Sequence, residues 1–124
     1  MSPVALVVDD SMLIRHTVCR YLEQRGFAVE SATNGMEALD ILKTVLPDVI
    51  ITDLTMPKMD GKELISRLRA MPHTAGIPIV ILAGKGNSEG AQTDANFVIF
   101  KDIAIEAQLH KALLAALGPE AMEN

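Results

Sequence analysis

The chain has 124 residues, of which 49% are hydrophobic and 22% charged, a balance typical of one soluble globular domain whose core needs no disulfide or structural metal. The net charge of −5 argues against binding nucleic acid or an anionic membrane through bulk charge, and no apolar stretch is long enough to span a membrane. The single cysteine excludes an internal disulfide, so we expect a reducing, cytoplasmic location.

Short apolar runs alternate with amphipathic segments along the first half of the chain. The run Val4–Val8 is continuous and rich in β-branched residues, which predicts a strand buried on both faces. Ser11 then opens a helix that Gly26 ends, and a second strand covers Phe27–Ala32. A second helix that stops before Pro47 is predicted by apolar residues at helical spacing, namely Ala38, Ile41, Leu42 and Val45.

The second half of the chain continues this alternation. Three further apolar runs predict the third, fourth and fifth strands, at Val49–Ile51, Ile77–Leu82 and Phe97–Phe100. Asp60 and Glu63 have the spacing of a capping box at the start of a third helix. The apolar stripe of a last helix begins at Ile105 and is closed by Gly118. We therefore predict an α/β fold, a doubly wound parallel sheet with helices on both faces.

One segment breaks the alternation between the fourth and fifth strands. Residues 83–96 contain three glycines and no large apolar side chain, so a helix there has almost nothing to bury. We expect the fourth helix of the pattern to be short or missing. We also expect one domain over residues 1–118 and a flexible tail over residues 119–124.

Acidic residues follow two of the predicted strands. Asp9 and Asp10 come directly after the first strand, and Asp53 ends the third. Because ligands of a doubly wound sheet bind beyond the carboxyl ends of the strands, we expect these three carboxylates to converge. Carboxylates at close range repel one another, and Mg²⁺ prefers oxygen ligands, so Mg²⁺ is the expected cofactor. Lys101, after the fifth strand, brings a positive charge to the same edge.

Carboxylates, Mg²⁺ and a lysine together make a plausible phosphoryl-transfer site. Asp53 is the candidate nucleophile because it stands alone on its strand, whereas Asp9 and Asp10 are paired for metal binding. Each residue taken singly has an ordinary alternative. In these alternatives Asp10 would cap the first helix, Asp53 would be a solvated acid of a loop, and Lys101 would be a solvated cation of the surface. Their occurrence together at one edge of the predicted sheet favours a phosphoryl-transfer site over these separate roles.

On these residues the chain resembles the receiver domain of two-component response regulators, of the single-domain, chemotaxis-regulator kind, over essentially its whole length. The matching positions are the pair Asp9-Asp10, the segment from Asp53 to Gly61, the dipeptide Ile77-Pro78 and Lys101. The resemblance implies a five-stranded sheet of order 2-1-3-4-5. It also implies that the protein acts in two-component signal transduction, with an unidentified protein as its downstream target.

The resemblance further implies a role for each site residue. Asp53 accepts a phosphoryl group from a histidine kinase or a phosphotransfer protein, and Lys101 contacts that group. Mg²⁺ is held by Asp10, Asp53 and the backbone carbonyl of Thr55, with Asp9 assisting through water.

Three positions depart from the family pattern. Ala83 stands where receivers usually place Thr or Ser, and Val98 stands where they usually place the aromatic residue that switches. Asp102 replaces the proline that usually follows the lysine in a cis bond, so we expect a trans bond, a shifted Lys101, and Asp102 as the N-cap of the last helix. Ala83 and Val98 favour an alternative, a pseudo-receiver that serves as a protein-interaction module without phosphorylation.

Overall fold

A single parallel sheet forms the centre of the computed structural model, which describes residues 2–84, 95–101 and 104–119. Its strands in chain order are β1 (Val4–Val8), β2 (Ala28–Ala32), β3 (Val49–Asp53), β4 (Ile79–Ala83) and β5 (Phe97–Phe100). They lie in the order β2-β1-β3-β4-β5, and every neighbouring pair is parallel. The predicted sheet and strand order are confirmed, and the order reverses direction between β1 and β3.

Two core layers cover the sheet, one on each face. The helices of the described residues are α1 (Met12–Gln24), α2 (Gly35–Ile41), α3 (Gly61–Ala70) and α4 (Ile105–Leu117). On one face α1 and α4 bury large apolar side chains against the strands, among them Leu22, Leu109 and Leu113. On the other face α2 and α3 bury apolar side chains against the strands, among them Ala38, Leu64 and Leu68. The predicted placement of helices on both faces is confirmed.

Side-chain caps explain where the first three helices begin. The Ser11 hydroxyl accepts a hydrogen bond from the Ile14 N–H, and the Asn34 side chain accepts one from the Glu37 N–H. The Asp60 carboxylate likewise accepts a bond from the Glu63 N–H at 2.9 Å. Each bond satisfies a backbone donor that has no partner inside its own helix. The predicted starts at Ser11 and Asp60 are confirmed.

Several predicted boundaries were wrong by a few residues. Strand β4 begins at Ile79 rather than at Ile77, because the Ile77 N–H closes a turn onto the Thr74 carbonyl. Helix α2 ends at Ile41, and the chain continues in turns toward Pro47. Strand β2 begins one residue after Phe27, whose N–H bonds the Leu22 carbonyl at the end of α1.

The connection from β5 to α4 also differs from expectation. Helix α4 begins at Ile105, with Ala104 at the N-cap position in a left-handed conformation (φ 36°), so the prediction that Asp102 is the N-cap was wrong. The trans bond expected between Lys101 and Asp102 lies outside the described residues. So do most of the segment expected to hold a short or missing fourth helix and the tail after Pro119.

No helix of the described residues combines the length and the apolar character that crossing a membrane requires. The division into a domain of residues 1–118 and a tail stays a prediction.

Candidate active site

Three carboxylates converge at the carboxyl edge of the sheet, where the strand order reverses. The parallel register pairs Val8 of β1 with Thr52 of β3, so the residues that follow each of them lie side by side. Oxygen atoms of Asp9, Asp10 and Asp53 all lie within 4.8 Å of one another. Asp9 and Asp53 are buried, whereas Asp10 is exposed. The predicted convergence is therefore observed.

Backbone N–H groups orient the two buried carboxylates. Asp53 Oδ1 accepts a bond of 2.8 Å from the Leu54 N–H and a longer one of 3.4 Å from the Thr55 N–H. Asp9 Oδ1 accepts a bond of 2.8 Å from the Ser11 N–H, at the start of α1. With one oxygen held in this way, each side chain presents its Oδ2 to the interior of the site.

Lys101 lies against both of these Oδ2 atoms. Its ammonium nitrogen is 3.0 Å from Asp9 Oδ2 and 3.1 Å from Asp53 Oδ2, and its backbone N–H donates to the Ala83 carbonyl. Lys101 contacts both acids although no proline follows it, and the shift of Lys101 expected from the replacement of that proline by Asp102 stays a prediction. The pairing of β5 with β4 delivers the lysine to the acids without that proline.

Burial and neighbouring charges shift the pKa values of Asp53 and Lys101. Burial raises the pKa of Asp53, and the neighbouring charge of Asp9 raises it further, against the lowering effects of Lys101 and the Thr55 N–H. Burial lowers the pKa of Lys101, but its contacts with Asp9 and Asp53 outweigh burial and leave that pKa above its ordinary value. Lys101 is thus held as a cation, and three carboxylates outnumber it.

The residues present fit a hard divalent cation. Asp9 Oδ2 is fully buried and accepts no hydrogen bond from any described residue, so the charge of Lys101 is what compensates it there. Leaving a buried carboxylate oxygen without a hydrogen bond is costly unless a cation or an ordered water completes its environment. The donor set consists only of oxygen atoms, and this acidic cluster is able to hold a metal ion.

Gly61, the first residue of α3, packs tightly beneath the end of β3. Its N–H donates to the Leu54 carbonyl at 2.8 Å. A Cβ atom at this position would collide with the Asp53 carbonyl oxygen and lie 2.8 Å from the Leu54 Cα. Both of these are backbone atoms, which cannot rotate away as a flexible side chain can. The glycine therefore allows α3 to begin directly against the backbone that carries Asp53.

We expect the substitution Gly61→Ala to destabilise the protein by about 1–3 kcal/mol, the usual cost of forcing a methyl group into a packed site. The measurement is the midpoint of denaturant unfolding. Gly76→Ala is the matched control, since a Cβ there meets no atom within 4 Å. Equal midpoints for the two variants would contradict the close packing of Gly61.

Two of the three positions that depart from the family pattern, Ala83 and Val98, lie on one face of the sheet. Ala83 is buried at the end of β4, and Val98 packs in the same core layer. Phe97 packs in the opposite layer, as strand alternation predicts. By the same alternation Phe100 shares the face of Val98, and it is paired in register with Ala83 and 40% exposed. Alternation along the predicted strand could by itself have indicated that Phe100 shares the face of Ala83 and Val98.

Comparison with known sequences identifies one family. The sequence profile of the response regulator receiver domain matches residues 5–114. A curated relative, the response regulator MprA of Mycobacterium bovis (strain BCG / Pasteur 1173P2), is 36% identical over 126 aligned residues, which cover 97% of this chain and 54% of that protein. This chain therefore spans about half the length of the curated relatives it matches.

Solved structures give the same fold. The chemotaxis response regulator CheY4 of Vibrio cholerae superimposes with a TM-score of 0.84 at 32% identity, covering 94% of this chain and all of that one. The receiver domain of the sensor histidine kinase PA1611 of Pseudomonas aeruginosa PAO1 reaches 0.87 at 21% identity, covering 95% and 99% of the two chains. That structure has a magnesium ion coordinated in its active-site cleft.

Proposed function

This chain belongs to the response regulator receiver domain family, and from that premise we propose that Asp53 accepts a phosphoryl group from the phosphohistidine of a histidine kinase or a phosphotransfer protein. A receiver is a phosphoacceptor domain of two-component signalling. The observation that carries the assignment of Asp53 is its convergence with Asp9, Asp10 and Lys101 at one edge of the sheet.

Burial excludes Asp9 as the acceptor, and the contact of Asp53 with Lys101 favours Asp53 over Asp10. Asp9 Oδ2 is fully buried, so a donor cannot reach it, and Asp10 lies on the exposed side of the cluster. Asp53 Oδ1 is occupied by backbone N–H groups, which leaves Oδ2 as the nucleophile. This oxygen forms a bond to phosphorus while the P–N bond of the donor breaks. The products are an aspartyl phosphate and a histidine whose freed ring nitrogen takes up a proton.

We assign Mg²⁺ to the acidic cluster. Asp10, Asp53 and the backbone carbonyl of Thr55 would hold the ion, and Asp9 would contact it through water. Mg²⁺ commonly uses one or two carboxylates, keeps several waters and neutralises phosphate charge, which is the chemistry it would supply here. The ion in the PA1611 receiver is a property of that protein. The support from this chain is its all-oxygen donor set and the buried Asp9 oxygen.

Lys101 supplies a fixed positive charge beside Asp53. In the present arrangement its ammonium contacts the Asp53 oxygen that we assign as the nucleophile. After transfer the same ammonium would contact a phosphoryl oxygen, and so stabilise the added negative charge.

The surface beside the site suits a protein donor. Met12 and Leu13, in the first turn of α1, are 75% and 74% exposed, although both are apolar. Exposed apolar side chains next to a reactive site are typical of a protein-docking surface. The net charge of −5 does not favour nucleic acid, and the single cysteine supports a cytoplasmic location.

A second candidate function is a pseudo-receiver that binds a partner without being phosphorylated. Ala83 supplies no hydroxyl to a phosphoryl group, and Val98 supplies no aromatic ring to switch.

The experiment that separates the two candidates is incubation of the protein with a small acyl phosphate donor, followed by intact mass measurement. With Mg²⁺ we expect a mass gain of one phosphoryl group. In EDTA we expect the gain to slow by on the order of 10²-fold, because the carboxylates then repel the incoming phosphate. No gain with Mg²⁺ present would reject the phosphoacceptor and favour the pseudo-receiver.

A further inference from the structure

The outer edge of β5 is paired by a side chain rather than by a strand. Within the described parts of the chain β5 is the last strand of the sheet, so alternate backbone groups along its outer edge have no neighbouring strand there to bond. Gln108 of α4 takes this place at Phe100. Its Oε1 accepts the Phe100 N–H at 2.9 Å, and its Nε2 donates to the Phe100 carbonyl at 2.8 Å. One side-chain amide thus satisfies both backbone groups of one residue.

This pairing occurs directly before the lysine of the site. Phe100 is bonded to Lys101, whose own N–H donates to the Ala83 carbonyl on the opposite edge of β5. The strand end is therefore held from both sides, by β4 through Lys101 and by α4 through Gln108. From this end the Lys101 ammonium reaches Asp9 and Asp53.

Helix α4 is a firm support for such a contact. Leu109 and Leu113 are fully buried against the sheet, so the turn that carries Gln108 is held by core packing. The start of the helix is a weaker support, because its N-cap residue is Ala104, which has a left-handed conformation and no polar side chain. Side chains that reach out from a packed element can hold a neighbouring group in place better than those on a loop.

We propose that Gln108 is a positioning residue for Lys101: its amide fixes the end of β5 so that the ammonium meets Asp9 and Asp53. The reactive consequence of this placement rests on the proposed phosphoacceptor function. The placement itself does not, so the two can be tested separately.

The first test measures the rate of phosphoryl acceptance from the small donor with Mg²⁺. We expect Gln108→Leu to slow it by on the order of tenfold, because small displacements of a charged group in such a site are costly. In the Lys101→Met background the same change should slow it less than about twofold, since the group being positioned is gone. Equal slowing in both backgrounds, or none in the unsubstituted chain, would overturn the proposal.

Gln24→Leu is the matched control, the same chemical change at an exposed position in the last turn of α1. It should leave the rate within about twofold of the unsubstituted chain, as expected for surface substitutions. Gln108→Glu is a second variant. It keeps the acceptor for the Phe100 N–H but places a carboxylate oxygen against the Phe100 carbonyl, so it too should slow the reaction.

The second test needs no phosphorylation. In the metal-free protein, NMR of the Lys101 side-chain ammonium reports how well water is kept from it. We expect its signal to be protected from exchange in the unsubstituted chain and in Gln24→Leu, and to weaken or vanish in Gln108→Leu. If the signal is unchanged in Gln108→Leu, the positioning role is rejected. If no protein form gains a phosphoryl group, the proposed function fails while this result still decides the role of Gln108.

Discussion

We expect Asp53→Asn to abolish phosphoryl acceptance, the largest effect expected of any single substitution. Asparagine keeps the size of the side chain and an Oδ1 that can accept the Leu54 N–H, but it loses the nucleophilic carboxylate oxygen. We expect the rate of mass gain from a small acyl phosphate with Mg²⁺ to fall by on the order of 10³-fold or more, as for other lost nucleophiles. Intact mass measurement over time gives the rate.

Asp40→Asn is the matched control. Asp40 lies in α2, where its side chain is 76% exposed and forms an ion pair with Lys43, far from any role in the acidic site, so its loss should leave the rate unchanged. The phosphoryl group on the unsubstituted chain should also be released by hydroxylamine, since an acyl phosphate reacts with it whereas a phosphate ester of serine or threonine does not. A full mass gain in Asp53→Asn would show that another residue accepts the phosphoryl group.

The expected loss of phosphoryl acceptance in Asp53→Asn does not come from unfolding of the variant. Burial and the charge of Asp9 raise the pKa of Asp53, so the folded protein holds the Asp53 proton more tightly than the unfolded chain does. The ionised side chain therefore lowers stability as the pH rises through the interval between the unfolded and folded pKa values. At neutral pH the uncharged asparagine removes this penalty. We expect metal-free Asp53→Asn to be at least as stable as the unsubstituted chain, measured by thermal unfolding.

Lys101→Met should destabilise the metal-free protein by about 3–5 kcal/mol, the usual cost of removing one partner from a buried ion pair. Asp9 is fully buried, and its Oδ2 has Lys101 as its charge partner. Without the ammonium, Asp9 and Asp53 repel each other with no compensating charge between them. For a chain of this size the loss corresponds to a fall of roughly 10 °C or more in the unfolding midpoint.

Two conditions should restore part of this stability. Added Mg²⁺ replaces the lost positive charge, so its stabilising effect should be larger in Lys101→Met than in the unsubstituted chain. Acid should help as well, because the pKa of Asp53 is raised in the folded state by burial and by the charge of Asp9, and Asp53 therefore stabilises that state as it takes up a proton. Thermal unfolding with and without Mg²⁺, at several pH values, measures both effects.

Lys43→Met is the control for this substitution. Lys43 forms an exposed ion pair with Asp40 at 3.3 Å, so its removal should change stability by about 1 kcal/mol at most. If metal-free Lys101→Met proves as stable as Lys43→Met, the ion pairs of Lys101 do not compensate the buried acids.

The sequence by itself determined the parallel sheet, the helices and the position of the acidic site. A strand such as Val4–Val8 can be predicted from the sequence, because burial on both faces of a sheet requires a continuous run of apolar residues. The helix starts at Ser11 and Asp60 can also be predicted, because a capping hydrogen bond joins residues only three positions apart in the sequence. The convergence of Asp9 and Asp53 followed from a rule of topology, since parallel strands carry their last residues to one edge.

Only the tertiary structure decided how the site is held together. Lys101 reaches Asp9 and Asp53 despite the absence of a following proline, and Gln108 pairs with the backbone of Phe100. Neither contact has a local signature, because each joins side chains or backbone groups from different elements whose separation is set by packing. The local pattern could therefore identify which residues meet at the edge of the sheet. The distances between them, and the residues that maintain those distances, depend on the whole packed fold.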